Sequence, residues 1–322
     1  MLTLALLILT GQPATSGEFA ASGMASAPGL TGGTQAVAAA TTEAGRKKDG
    51  HFGPAWTTRI QDRPVLTKRS QRMVRHLAAD GRAYANLYDY GVPVYRVTDS
   101  TRHRRVTCTK PWGRCDLERQ PVPIPAAAQP NLGSDGAMVL VHRGRGKVYE
   151  FWQARKRTSG WRTSWGTISR LSGDGSRGAT GSGISRLAGI VRVKEMAARN
   201  IPHALVFSTN SACENRYRYP ATKTDGTYDR RGCIPEGARV QLDPAIDLDS
   251  IRMARGERVV ARALQRYGAY VVDVGAERMA FGFEKPTSTA DPYPKAGLAW
   301  DYFAMERIPW ESLRVLRRWD GS

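Results

Sequence analysis

Histidine is scarce here, with five in 322 residues, and cysteine is scarcer, with four. Acid is short as well: 29 Asp and Glu stand against 48 Lys and Arg, a net charge of +19. The chain has no G-x-S-x-G elbow, no H-E-x-x-H pair and no G-x-x-x-x-G-K-[ST] loop. Those absences remove the signatures of serine hydrolases, zinc proteases and P-loop nucleotide chemistry. No apolar run reaches the ~20 residues that cross a bilayer as a helix. No internal repeat is visible, and nothing in the residues calls for a cofactor or a metal.

What is present begins with an apolar start, "MLTLALLILTG", which has the core of a signal peptide without its basic flank. Small residues in "AVAAATTEA" offer a cleavage point near position 40, and residues 12–50 carry no periodicity. Residues 1–50 are therefore read as a signal-like segment and disordered linker, and 51–322 as one domain. Cys108 pairs with Cys115 and Cys213 with Cys233 in the local arrangement, which closes two short loops and leaves no odd thiol. Two disulfides imply an oxidising, secreted or envelope-associated setting. The positive charge has two readings: attraction to an anionic polymer, or the coding bias of an Arg-rich chain.

Strand patterns outnumber helical ones. "AMVLVH", the turn "RGRG" and "KVYEFWQA" read as a hairpin. "VPVYRVTD", "IPHALVF" and "GARVQLDP" read as further strands, and "AYVVDVGAERMAFGFE" as a second hairpin with Asp273 near its tip. "RGERVVARALQRYG" is the main helix, with Val259, Val260, Ala263 and Leu264 in its apolar stripe and Gly268 ending it. "SGDGSRGATGSGISRLAG" reads as a mobile surface loop. The sum predicts a mostly β protein: an antiparallel, jelly-roll-like β-sandwich with one main helix and a few short ones.

Ionisable groups on strand faces are the candidates for chemistry. His203 shares a face with Ile201 and Leu205, as a hydrogen-bonded core histidine or a group titrating near neutrality. Glu150, between Val148 and Trp152, is either ion-paired to Arg239 or Arg192 or a general acid or base tuned by burial. Tyr267 and Asp273 complete a possible catalytic set. Trp152, Arg239, Gln241, Asp135 and Arg192 would bind substrate, since rings stack on sugars while amides and charges hold hydroxyls and acids. The acids of "DPAIDLD" are a solvated turn or, without the EF-hand pattern, a poor calcium loop.

The strings "SDGAMVLVHRGRGKVYEFWQA", "GIVRVKEMAARNIPHALVF", "YPATKTDG", "IPEGARVQLDP" and "ALQRYGAYVVDVG" resemble an uncharacterised family of secreted actinobacterial and other bacterial proteins. The likeness covers roughly residues 85–320 and places Asp135, Glu150, Trp152, His203, Arg239, Tyr267 and Asp273 at matching positions. A looser likeness is to jelly-roll alginate lyases, through "RVKE" (Arg192, Glu195), "IPH" (His203) and "YPKAG" (Tyr293, Lys295). It implies a Tyr–His pair that abstracts the proton beside a uronate carboxylate. The departures are a first segment that reads as helical, Ile201 where the lyases have Gln, and Leu298 or Trp300 at the last tyrosine.

Together these residues predict a carbohydrate-active protein that cleaves glycosidic bonds in an acidic extracellular polysaccharide by hydrolysis or elimination. The alternative is a non-catalytic module that binds polysaccharide or another anionic cell-envelope polymer. Two close carboxylates would mark hydrolysis, and a Tyr–His–Arg cluster a lyase. A metal-binding acid cluster near a basic groove would mark a secreted nuclease, though nucleic acid is rarely the main target of a disulfide-bearing secreted protein.

Overall fold

A computed structural model describes residues 52–318. The leader and linker expected over 1–50 lie outside them. The described chain is mostly β, with a seven-stranded and a five-stranded main sheet. In chain order the main strands are β1 (Tyr84–Asn86), β2 (Val92–Arg96), β3 (Met138–His142), β4 (Lys147–Trp152), β5 (Trp165–Arg170) and β6 (Leu205–Thr209). They continue as β7 (Arg239–Leu242), β8 (Ala269–Val274), β9 (Ala280–Gly282), β10 (Glu284–Lys285), β11 (Phe303–Ala304) and β12 (Leu313–Val315). The large sheet runs β11-β1-β9-β6-β8-β7-β12 and the smaller β5-β4-β3-β2-β10.

Both sheets are mixed rather than purely antiparallel. β2 lies parallel to β3 and β10, β1 to β9, and β6 to β8. Parallel neighbours need long crossovers, and the chain supplies them: residues 97–137 join β2 to β3, and the stretch holding β7 and the main helix joins β6 to β8. The hairpin expected between β8 and β9 does not form, because β6 sits between them. The hairpin of β3 and β4 forms in full register, Met138 opposite Phe151 and His142 opposite Lys147.

Each sheet is covered on both faces, which explains its nearly unbroken apolar runs. Between the sheets lie Val92, Val94, Val139, Val141 and Val148 against Val206, Tyr270 and Val272. Leu205, Phe207, Val271 and Phe281 face the opposite way, onto helices α2 (Ser70–Leu77) and α4 (Arg255–Arg266). Met138, Leu140, Tyr149 and Phe151 pack beneath an outer layer of short strands and loops with Leu117, Val122 and Trp161. Disulfides Cys108–Cys115 and Cys213–Cys233 close the two expected loops. No helix among the described residues is long and apolar enough to cross a membrane.

Arg239, expected to bind substrate, ties the fold together instead. It is buried, and its guanidinium donates to the carbonyls of Tyr267 (2.7 Å), Ala55 (2.8 Å) and Thr58 (3.4 Å) and to the Tyr270 hydroxyl (3.2 Å). This joins the first helical turn, α1 (Pro54–Thr57), to the end of α4 and to β8. Arg239→Met leaves those carbonyls without their donor inside the protein. We expect a loss of about 2–4 kcal/mol in urea unfolding, with the m-value unchanged. A midpoint equal to the wild type would show that the clamp carries no stability.

Candidate functional site

The glycine-rich segment read as a mobile surface loop is instead packed against the sheets; residues 178–180 and 182–190 are buried. Its glycines have a packing reason. A Cβ at Gly178 would collide with the backbone of Ile184 and Ser185, and Gly189 has φ +68° against Trp56 and Val206. Backbone buried this way must find partners. Gly178 N–H donates to Gly183 O (2.6 Å), Ser185 N–H to Gly175 O (2.7 Å), and the Ser182 hydroxyl to Val272 O (2.6 Å).

Three further donors converge on Glu150, which β4 projects into the space under this strap. Its fully buried carboxylate accepts from Ala179 N–H (2.8 Å), Arg186 N–H (3.0 Å) and the Ser185 hydroxyl. Burial pushes its proton affinity up, while those donors and the Arg186 charge oppose the rise. Arg186 donates from Nε to Ala179 O (2.9 Å) and from Nη1 to Asp135 (3.4 Å).

On the far edge of the strap, Asp273 accepts from Gly181 N–H (3.2 Å). A bulge in the β6–β8 ladder between Phe207 and Ser208 sets Asp273 opposite Ser208. Asp273, Asp135, Arg186, Ser208, Asn86 and Tyr90 help line a crevice of about 80 Å³. Behind Asp273 lie Glu236, fully buried, and Asp225, exposed; each of the three places an oxygen within 4.8 Å of the others. Glu236 Oε2 accepts from Asp225 N–H (3.2 Å), and its Oε1 has no hydrogen-bond partner among the described residues. Three carboxylates this close need protons or a hard cation among them. Burial first, opposed by Arg186 and reinforced by Asp225 and Asp135, pushes Asp273 up to about 7. Burial, opposed by Thr224 and reinforced by Asp225 and Asp273, pushes Glu236 up to about 8.

The other sequence candidates lie apart from this crevice. His203 is buried, with Nε2 3.0 Å from Glu195 and Nδ1 2.8 Å from the Ala204 carbonyl. Glu195 also accepts from the Arg192 N–H (2.9 Å), capping the short helix α3 (Val193–Ala198). Arg192 forks onto Glu284 at 2.8 and 3.2 Å, and the buried Tyr293 hydroxyl donates to Glu284 O (2.5 Å). Of the lyase-like residues, Arg192, Glu195, His203 and Tyr293 therefore share a network, one that joins helix, strand and loop, while Lys295 is exposed. Gln241 is buried, donating to Gln265 O (2.8 Å) and accepting from Arg314 (3.0 Å). Tyr267 packs in the core between the sheets, and half-buried Trp152 stacks on Trp112 with ring centroids 5.1 Å apart. In "DPAIDLD", Asp243 and Asp247 accept from the backbone two residues on, and Asp249 pairs with Arg258 and Arg262.

Sequence reasoning thus named Glu150, Asp135 and Asp273 of this region and missed Arg186, Ser185, Glu236 and Asp225. No strand alternation marks the last four. Comparison with protein-family models, curated proteins and solved structures finds no match.

Two outcomes are expected. Glu150→Gln turns one acceptor into a donor facing donors, at a cost of about 2–4 kcal/mol. The backbone amides of Ala179 and Arg186 should then exchange hydrogen faster than those of β3; equal protection would remove Glu150 as the strap's anchor. Asp273 and Glu236 are raised above their unfolded values, so their stabilisation is complete below the ordinary carboxylate range. It is lost as pH rises through about 7 and about 8. Through these two groups Tm should therefore fall from the ordinary carboxylate range, about pH 4, up to about pH 8 and level off above it, and Asp273→Asn should flatten part of that slope.

Proposed function

We propose that the protein is a secreted polysaccharide hydrolase whose chemistry lies at the Asp135–Arg186–Asp273 crevice. The observation that carries the reading is the placing of two carboxyls on one crevice, Asp135 paired to Arg186 and Asp273 set against Glu236 and Asp225, where burial pushes Asp273 up to about 7. Two carboxyls in unlike environments are the requirement for glycoside hydrolysis. Asp273 donates its proton to the glycosidic oxygen as the bond to the anomeric carbon breaks. Asp135 supplies the negative charge that activates water or takes the anomeric carbon. One water is consumed and one reducing end appears per cleavage. Glu236 positions Asp273 from behind and touches no substrate. Hydrolysis is preferred over elimination because His203 and Tyr293 are buried and engaged elsewhere. The disulfides and the positive charge support an extracellular site of action and an acidic substrate.

A metal-dependent nuclease is the second reading, favoured by the 4.8 Å grouping of Asp225, Glu236 and Asp273. It is the weaker one, because of the three carboxyls only Asp273 lines the crevice, while Glu236 is fully buried behind it.

The test is a panel of neutral and acidic polysaccharides, read for reducing ends and for the absorbance of unsaturated uronates. We expect reducing ends without unsaturated product, a rate that falls as pH rises through about 7, and a loss of about 10²-fold or more in Asp273→Asn. Full activity in that variant, or activity abolished by a chelator and directed at DNA, overturns the reading. Retention on a polysaccharide gel without any product reduces it to a binding module.

A further inference from the structure

Beyond the strap from the crevice runs a larger groove along β5, an edge strand of the smaller sheet. One section, about 890 Å³, is lined by Trp112, Trp165, Arg170, Arg177 and Lys223. A second, about 400 Å³, adds Arg119 and Lys147 and shares Arg114, Asp116, Ile168, Ser169 and Arg170 with the first, so the two are continuous. Of the basic side chains, only Arg114 has a carboxylate partner among the described residues, Asp116 at 2.7 Å. Asp174, the other acid of the groove, is turned onto the Ser176 hydroxyl at 2.7 Å. With six basic side chains against two carboxylates, the groove carries a net positive charge.

Its aromatic groups are arranged with that charge. Trp112 is 55% exposed and is backed by Trp152. Lys110 lies 5.9 Å from the centre of the Trp112 ring and Lys223 5.8 Å from that of Trp165. Rings flanked by ammonium groups suit a chain that offers an apolar sugar face and an anionic substituent together. The strap links this groove to the crevice: Gly178 and Gly183 line the groove, while Thr180, Ser185 and Arg186 line the crevice.

We propose that this groove is the binding subsite for an anionic polysaccharide, stacking its sugar rings on Trp112 and Trp165 and pairing its carboxylate or sulfate groups with Arg170, Arg177 and Lys223. The assignment rests on the reading of the crevice as a glycosidase site and names the substrate class of that site.

Binding is measured on full-length Asp273→Asn protein, so that cleavage does not enter the result. The probes are polygalacturonate, heparin, neutral dextran and single-stranded DNA at matched charge. We expect polygalacturonate or heparin to bind, dextran to bind at least about tenfold more weakly, and added salt to weaken the anionic complexes. The double change Arg170→Glu/Lys223→Glu should abolish the binding, and Trp112→Ala should weaken it with Tm unchanged. Comparison of the two anionic glycans separates carboxylate from sulfate recognition. Unchanged binding in both variants, equal affinity for dextran, or tighter binding of DNA than of either glycan overturns the proposal. If the groove binds glycan but the wild-type enzyme releases no reducing ends, the crevice reading fails and the subsite stands.

Discussion

A single carboxylate organises the region where the two sheets and the glycine-rich strap meet. Glu150 is carried on a central strand with apolar neighbours, and its position makes sense only because the strap folds over it. Ala179 and Arg186 present backbone N–H groups, and Ser185 its hydroxyl, at the one place where water cannot serve them. A buried charge is tolerated when donors surround it, and buried backbone is tolerated when acceptors reach it. Each side of this contact solves the other's problem. Arg186 then holds both the strap, through Ala179 O, and the carboxylate of Asp135.

From that anchor the rest of the site follows. The strap carries Gly181 to Asp273, and burial, reinforced by the nearness of Asp225, pushes Asp273 and Glu236 above the ordinary carboxylate range. Its two faces border two different environments, a small acidic crevice and a long basic groove. In an oppositely charged polymer such a layout would draw the chain in by one surface and present its linkages to the other.

The legible part of the sequence was the part governed by short-range rules. Helix α4 has its apolar stripe and its glycine stop, with Gly268 at φ +68°, and the β3–β4 hairpin has alternation and a glycine turn. The cysteine pairs could be assigned because local closure left nothing over. What could not be read depends on long-range placement. The strap has the composition of a flexible loop, because glycine serves close packing and mobility alike. His203 on an apolar face has one signature for a structural and for a titrating imidazole, and the Glu195 contact that fixes it as structural lies on another element. Arg239 and Gln241 share one face of their strand in the sequence pattern, and an arginine clamp on carbonyls leaves no signature there that tells it from a binding face. Glu236 and Asp225 lie in segments with no alternation, so only the fold brings them to Asp273.

The insertion of β6 between β8 and β9 also bears on how the large sheet is assembled. Two strands adjacent along the chain, with only a short turn between them, are kept apart by one laid down some sixty residues earlier, a separation that makes the closing contacts non-local. The smaller sheet has a local hairpin from which to grow; the larger has none at its centre. Its middle pairs β6 with β8 across the stretch that holds β7 and the main helix. The crevice is built on that same ladder, so its lining is gathered from parts of the chain far apart in sequence.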